Sequence, residues 1–210
     1  MLDLHDLDAW RDDRCLFSGL SLSLASGEVM QVSGPNGVGK TTLLQRIAGL
    51  GGSLPAGAVR WRGQDVRADE RFRRELLFLG HLPGLKAALS VRENLIFLAS
   101  CRGLKLSAHA GAQALAKVGL AGHDEIPVAR LSAGQKRRVA LARLFTEPVP
   151  LWILDEPFTA IDRDGVAALE GWIADHAGGG GLVLLTTHHA LSLRCPLRQL
   201  TLVPGDEEVA

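Results

Sequence analysis

Tyrosine is absent from this 210-residue sequence, and cysteine is scarce. The three cysteines, Cys15, Cys101 and Cys195, lie far apart and follow no metal-binding spacing, so they predict neither a disulfide framework nor a zinc site. We therefore expect a reduced, cytosolic compartment. No apolar run reaches the roughly 18–20 residues that a membrane-spanning helix requires. The first residues also lack the charge pattern of a secretory signal peptide. If this protein works at a membrane, we expect another chain to span that membrane.

An excess of charge is also missing, because 23 Lys and Arg residues balance 23 Asp and Glu residues. Proteins that bind the nucleic-acid backbone are usually basic, so we expect no nucleic-acid partner. Hydrophobic residues make up 47% of the chain, which is ordinary for a globular protein. The length allows one domain with a full core or two small lobes.

What the sequence does contain is a glycine-rich loop that ends in lysine and threonine, Gly34-Pro-Asn-Gly-Val-Gly39-Lys40-Thr41. It fits the P-loop pattern, and it lies between a predicted buried strand at 29–33 and a predicted helix. Backbone N–H groups and the helix start can then bind phosphate, Lys40 can reach the β- and γ-phosphates, and the Thr41 hydroxyl can hold Mg²⁺. The predicted nucleotide-binding residues of this loop are Gly34, Pro35, Asn36, Gly37, Val38, Gly39, Lys40, Thr41 and Thr42.

Two later apolar segments, predicted to be buried strands, run into polar residues. The strand that begins at Leu151 ends in Asp155 and Glu156, and the strand that begins at Leu182 is followed by His188. Acids at the carboxyl ends of parallel strands are expected on the P-loop side of the sheet. Asp155 could then hold Mg²⁺ through water, and Glu156 could polarise an attacking water.

The remaining patterns complete a predicted α/β P-loop fold. Antiparallel hairpins are expected at 2–24 and 51–66, an exposed charged segment at 67–74, and a mostly helical insertion at about 83–130. Two helix starts show capping-box spacing, Ser90 with Glu93 and Ser132 with Gln135. Because helix starts bind anions, the start at Ser132 is a second candidate phosphate site.

In this order the features resemble the ATP-binding subunits of ABC transporters, over nearly the whole chain. The P-loop is similar to the family's Walker A motif, 151–156 to Walker B with its catalytic glutamate, 159–162 to the D-loop, and His188 to the switch histidine. One segment of this chain resembles the family's Leu-Ser-Gly-Gly-Gln signature, with alanine in place of the first glycine: Leu131, Ser132, Ala133, Gly134 and Gln135.

This resemblance implies a sheet core, an antiparallel β subdomain and a helical insertion subdomain, within one ATP-binding domain that covers 1–210. It implies hydrolysis of ATP with Mg²⁺ as cofactor, with Glu156 and His188 as catalytic residues. It also implies a head-to-tail dimer, in which the signature of one copy meets the γ-phosphate held by the other.

Two positions fit the family pattern less well. The glutamine that usually follows the 76–79 strand, and contacts Mg²⁺ and the membrane subunit, is replaced by His81. A neutral imidazole could keep a water-mediated contact, so the predicted metal residues are Thr41, Asp155 and His81. An aromatic ring often stacks on adenine upstream of such a P-loop, and Trp10 is the nearest candidate. An ordinary aromatic at a strand end explains Trp10 equally well.

Within the family, the residues around His81, the Leu-Ser-Ala-Gly-Gln-Lys-Arg-Arg segment and Trp152 resemble the ATPase subunits of bacterial cytochrome c maturation systems. This resemblance implies a role in haem export, integral membrane partners, and a peripheral location on the cytoplasmic side of the inner membrane. The first alternative is the ATPase subunit of another small-substrate ABC transporter.

The second alternative is a soluble ABC-type ATPase that is not coupled to transport. The DNA-repair and chromosome-organising members carry a long coiled coil, but the roughly 90 residues between P-loop and signature contain no sustained heptads. Translation-factor members usually carry two such domains, and this chain has one. A haem-sensing module, suggested by Cys195-Pro196, is a further hypothesis, although a cysteine before proline in a turn is far more often structural.

Overall fold

The computed structural model describes residues 1–50 and 57–203. The strands of this part are β1 Leu2–Arg11, β2 Arg14–Leu24, β3 Val29–Ser33, β4 Ala58–Trp61, β5 Gln64–Asp65, β6 Leu76–Leu79, β7 Leu151–Asp155, β8 Leu182–Thr186 and β9 Leu197–Thr201. Its α-helices are α1 Lys40–Ile47, α2 Glu70–Glu75, α3 Val91–Cys101, α4 Ala108–Lys117, α5 Ala133–Thr146 and α6 Arg163–Gly178. A short 3-10 turn, Val128–Arg130, precedes α5.

A five-stranded sheet with the order β6-β7-β8-β3-β9 forms the centre of the molecule. All its pairs are parallel; Ile153, for example, pairs with Leu184, and Val29 pairs with Val183. Every residue of β7 and β8 is buried, as expected for strands covered on both faces. The carboxyl ends of β3, β7 and β8 therefore meet at one edge, where the P-loop, Glu156 and the 187–188 segment begin.

Alternate residues of the central strands pack into two hydrophobic cores. Ile153 and Leu184 face a cluster that includes the antiparallel strands and α1. Leu154 and Leu185 face a second cluster, which includes residues of α3, α4, α5 and α6. The period of two along each strand separates these faces, so one continuous apolar run supplies both cores.

A second, antiparallel sheet has the order β2-β1-β4-β5. Leu2 of β1 pairs with Leu24 of β2 on one side and with Trp61 of β4 on the other. The prediction of antiparallel hairpins is confirmed for these strands, and residues 51–56 of the second predicted hairpin lie outside the described residues. Together with the parallel sheet and the helices, this sheet confirms the predicted fold class.

The charged segment 67–74 differs from the prediction. Part of it forms α2, and Phe72 of this helix is only 1% exposed. The Phe72 ring lies against Trp61, with 6.1 Å between ring centroids, so one aromatic residue anchors an otherwise charged helix. The prediction of a wholly exposed segment was wrong, because the charges around Phe72 concealed its tertiary partner.

Both predicted capping boxes are confirmed. Ser90 and Glu93 exchange side-chain and backbone hydrogen bonds at the start of α3, and Ser132 and Gln135 do so at the start of α5. α3, α4 and α5 pack against one another, and α5 also contacts β6. In the described part of the chain, none of the helices is both long and apolar enough to cross a bilayer.

Replacing Leu184 by alanine should lower the free energy of unfolding by about 2–5 kcal/mol, because Leu184 is fully buried in the central strand of the parallel sheet. Leu82→Ala is the control, since that leucine is 80% exposed, and it should change stability by less than about 0.5 kcal/mol. Urea unfolding followed by circular dichroism measures both. Equal losses in the two variants would contradict the position of β8 in the sheet.

Candidate functional site

The P-loop joins the end of β3 to the start of α1, and its shape depends on glycine. Gly34 has a φ of 138°, and a Cβ there would lie 2.5 Å from the carbonyl oxygen of Leu202. Gly39 has a φ of 106° and packs against Leu16 and Phe17. Gly39 is also the residue before the first turn of α1, and no side chain caps that helix start. The first N–H groups of α1 are thus available to an anion, which the helix dipole also favours.

The Lys40 ammonium group lies over the loop that precedes it. Its Nζ atom donates to the carbonyl oxygens of Gly34, at 2.8 Å, and Pro35, at 3.1 Å. A positive charge and the uncapped helix start therefore point to the same side of the loop. This arrangement suits a polyphosphate, whose charge Lys40 can meet as a mobile point charge.

Asp155 at the tip of β7 is 1% exposed and is held by two hydroxyl groups. Thr41 Oγ1 donates to its Oδ2 at 2.9 Å, and Thr186 Oγ1 donates to its Oδ1 at 2.7 Å. The same Thr186 oxygen accepts a hydrogen bond of 2.9 Å from the backbone N–H of Glu156. Thr186 thus connects the end of β8 to both acidic residues.

The Thr41 hydroxyl and the Asp155 carboxylate are adjacent oxygen groups beside the P-loop. Mg²⁺ prefers oxygen ligands and usually takes only one or two from protein, with water and substrate phosphate supplying the rest. Across residues 1–50 and 57–203 no group of three His, Cys, Asp or Glu side chains could hold a metal ion alone. The two ligands fit a metal that arrives with a nucleotide, while the His81 side chain lies at the same cavity.

Glu156 follows β7 directly and has a φ of 48°, in the left-handed region that non-glycine residues rarely adopt. His188 Nε2 lies 3.4 Å from its Oε1 atom. That oxygen is buried, and no donor in the described residues is aligned well enough to form a hydrogen bond with it. Glu156 lines the cavity beside an imidazole, and a carboxylate in such a position can accept a proton from water.

These side chains surround one cavity of about 410 Å³. The predicted site residues that line it are Asn36, Gly37, Gly39, Lys40, Thr41, Thr42, His81, Asp155, Glu156 and His188. Trp10 is 47% exposed and is not among the lining residues, whereas its neighbour Arg11 and Leu16 of β2 are. Adenine stacking by Trp10 stays a prediction that this geometry does not favour.

The signature segment lies on a separate surface. Ser132, Gly134 and Gln135 line a second cavity of about 480 Å³, together with Arg138 and Ala160. No described residue lines both cavities. The link between them is the 159–162 segment, because Thr159 lines the first cavity and Ala160 the second.

The two small residues of the signature have different surroundings. A Cβ on Gly134 would lie 2.6 Å from the Ala160 carbonyl oxygen, so a side chain there would displace the 159–162 segment. Ala133, which replaces the usual glycine, is exposed and begins α5. The departure from the family pattern thus falls at a position that tolerates a methyl group.

Sequence reasoning missed two residues that organise this site. The sequence pattern assigns Thr186 no role beyond the strand that precedes His188, although a hydroxyl at the tip of an apolar strand could indicate a hydrogen-bond partner. Arg137 was hidden in the basic run Lys136-Arg137-Arg138, yet it is only 4% exposed and donates to the carbonyl groups of Asp155 and Glu156. Nothing local in that run distinguishes the buried arginine from the basic residues on either side of it, which are half-buried.

Comparison with known proteins identifies relatives along most of the chain. The sequence model of the family described as ABC transporter matches residues 17–159. A Yersinia pestis protein named cytochrome c biogenesis ATP-binding export protein CcmA is 53% identical over 192 residues, covering 91% of this chain and 87% of its own. A Vibrio cholerae protein of the same name is 49% identical over 204 residues, covering 96% and 98%.

Solved structures agree with this similarity. A Pyrococcus furiosus structure described as an ABC transporter ATP-binding protein superposes with a TM-score of 0.82 at 26% identity, covering 96% of each chain. A dimeric ATP-binding cassette, MJ0796, bound to ADP and Pi, superposes with a TM-score of 0.79, covering 90% of this chain and 88% of its own. At 22% identity, this second likeness concerns the fold alone.

Replacing Thr186 by valine should lower the rate of ATP hydrolysis by about 10- to 100-fold, because Asp155 loses a hydrogen bond to a charged group. Thr187→Val is the matched control, since in the described part of the chain the Thr187 hydroxyl accepts from the His189 N–H and forms no hydrogen bond with either acidic residue. Phosphate release under saturating Mg²⁺ and ATP measures both. Equal rates in the two variants would exclude a role for Thr186 in holding the acidic residues.

Proposed function

The chain belongs to the ABC transporter family, and we propose that it is the ATP-hydrolysing subunit of an ABC system for cytochrome c biogenesis and haem export. The observation that best supports ATPase activity is that five side chains line one cavity: Lys40, Thr41, Asp155, Glu156 and His188. The link to cytochrome c is supported by the names of relatives about 50% identical over most of the chain.

In the proposed mechanism the P-loop and α1 bind the phosphates of ATP through N–H groups and the helix dipole. Lys40 exchanges its carbonyl contacts for the β- and γ-phosphates, and so reduces the negative charge that repels an attacking oxygen. Glu156 orients a water molecule and accepts its proton as the water oxygen bonds to the γ-phosphorus. The bond from that phosphorus to the bridging oxygen breaks, and ADP and phosphate leave.

His188 and the Mg²⁺ ligands complete this mechanism. His188 Nε2, 3.4 Å from Glu156, is placed to orient the carboxylate and to contact the γ-phosphate. Thr41 and Asp155 would hold Mg²⁺, which would neutralise negative charge on the phosphates. His81 would contact the ion through water.

The separation of the two cavities supports a dimer of this chain. The P-loop cavity contains Lys40 and Glu156, while the capped start of α5 at Ser132 lines another surface. In a head-to-tail dimer, the α5 start of one copy would meet the γ-phosphate bound by the other. ATP would then be enclosed between copies, with water excluded from the reacting atoms.

We further propose that residues 1–210 form a single ATP-binding domain, with 83–130 as its helical insertion. The domain would bind integral membrane subunits of the haem export system from the cytoplasmic side of the inner membrane. The relatives' name, an ATP-binding export protein, supports this location. The ATPase of another small-substrate ABC transporter is the second candidate.

Glu156→Gln should trap a dimer with ATP bound. Glutamine retains the size of the side chain but cannot accept the proton, so hydrolysis should fall by about 10²–10⁴-fold while Lys40 and Thr41 still bind nucleotide. Because ATP would contact both copies, binding and dimerisation are linked. Size-exclusion chromatography with Mg-ATP should give a dimer, and with Mg-ADP or no nucleotide a monomer.

Two variants serve as controls for this experiment. Adding Ser132→Arg should abolish the dimer, because it blocks the start of α5 that the second copy would present. Lys40→Ala should abolish hydrolysis with the fold retained, as measured by circular dichroism. A monomer under all three nucleotide conditions, or a dimer that survives Ser132→Arg, would count against the enclosed-nucleotide arrangement.

Deleting the gene that encodes this chain should leave c-type apocytochromes without covalent haem, because the ATPase would no longer drive its membrane partner. Haem staining of membrane proteins after denaturing electrophoresis measures the loss. The wild-type gene should restore the staining, and the Lys40→Ala gene should not. Normal c-type cytochromes in the deletion strain would favour another small-substrate transporter.

A further inference from the structure

Arg137 is a buried cation beneath the P-loop cavity, next to the turns after β6 and β7, and the proposed mechanism does not use it. It lies on α5, two residues after Gln135 of the signature, and is only 4% exposed. A buried charge is costly unless hydrogen bonds compensate for lost water. The contacts of this side chain should therefore explain why it is there.

The guanidinium group of Arg137 donates to main-chain carbonyl oxygens in two different segments. The contacts are Nη1 to Gly80 at 2.9 Å and to His81 at 3.4 Å, Nη2 to Asp155 at 2.8 Å and to Glu156 at 2.5 Å, and Nε to Pro157 at 3.2 Å. One side chain thus connects the signature helix to the turn after β6 and to the turn after β7. Its planar fork of donors suits several acceptors in fixed positions.

The turn after β7 is the part of the site that most needs such support. Glu156 has a left-handed φ of 48°, a conformation that persists in a non-glycine residue only when the surroundings hold it. The carbonyl groups of Asp155, Glu156 and Pro157 all accept from the same guanidinium. Burial lowers the pKa of Arg137, and the nearby charges of Asp155 and Glu156 only partly oppose this shift. The guanidinium group still stays protonated, as arginine does in proteins.

We propose that Arg137 is a positioning residue for ATP hydrolysis, which fixes the main chain of Glu156 relative to the signature helix and the His81 turn. Arg137 reaches Glu156 through backbone carbonyls and not through its carboxylate, so it sets the direction of the side chain without taking part in proton transfer. This inference rests on the proposed role of Glu156 as the base.

The test begins with Arg137→Met, which retains the apolar stem and removes every donor. Its kcat for ATP hydrolysis should fall by about 10- to 100-fold, because a displacement of about 1 Å at the base is enough for that loss. KM for ATP should stay within about threefold, since the P-loop residues are untouched. Arg137→Lys retains the charge without the fork and should give an intermediate kcat.

Arg143→Gln is the matched control for a merely structural effect. Arg143 is another arginine of α5 and is half-buried, but it pairs with Glu147, 2.6 Å away, and does not line the P-loop cavity. This variant should lower the melting temperature while kcat stays at the wild-type value. A loss of kcat that only follows stability would appear in Arg143→Gln as well, and would overturn the proposal.

A double-mutant cycle shows whether Arg137 acts through Glu156. In the Glu156→Gln background, Arg137→Met should change residual single-turnover hydrolysis by less than about twofold, because the base that it positions is gone. Equal losses in both backgrounds would overturn the proposal, as would a folded Arg137→Met with wild-type kcat. If Arg137→Met does not fold, Arg137→Lys is judged by the same criteria. A wild-type protein without ATPase activity would instead contradict the proposed function.

Discussion

The parallel pairing of β7 and β3 with β8 is the interaction on which the rest of the site depends. It places three strand ends at one edge of the sheet. The P-loop follows β3, Glu156 follows β7, and the 187–188 segment follows β8. Hydrogen bonds at the tips then join these ends side by side, with Thr186 bound to Asp155 and to the backbone of Glu156. Because the strands are buried on both faces, the edge is rigid, and small polar groups can be held at hydrogen-bond distance.

The predicted site residues are divided between two separate cavities. The residues that would bind, activate and cleave ATP line one cavity, and the signature helix start lines another. The intervening 159–162 segment contacts both, and Gly134 packs directly against the Ala160 carbonyl. A displacement of the 159–162 segment at one cavity would therefore also shift the lining of the other, because the segment is only a few residues long. This geometry gives a physical reason for two copies to work together.

Arg137 adds a second connection between these regions, from inside the protein. The 159–162 segment lies at the surface, whereas the guanidinium group of Arg137 is buried beneath the turns after β6 and β7. His81, predicted to stand where the family usually has glutamine, lies in one of those turns and also lines the P-loop cavity. The signature helix, the position that departs from the family pattern and the predicted base are thus joined by one side chain.

Much of the fold and site could be predicted because the signals are local. The P-loop pattern needs only a strand followed by two glycines, a lysine and a threonine at fixed spacing, and a capping box needs only a serine and its partner three residues later. The prediction failed where the decisive contact was distant in sequence. Phe72 looked exposed because its partner Trp61 belongs to another strand.

By itself, the sequence determined which groups are available for the chemistry, and the order of strands and helices that carries them. Only the tertiary structure decided that Arg11 and Leu16, but not Trp10, line the P-loop cavity, that Thr186 holds Asp155, and that Arg137 is buried. The physical reason is that backbone propensity and side-chain period act over a few residues, so both can be read directly from the sequence. Distances across a sheet, and the burial of one arginine among three basic residues, depend on packing between segments that are far apart in the chain.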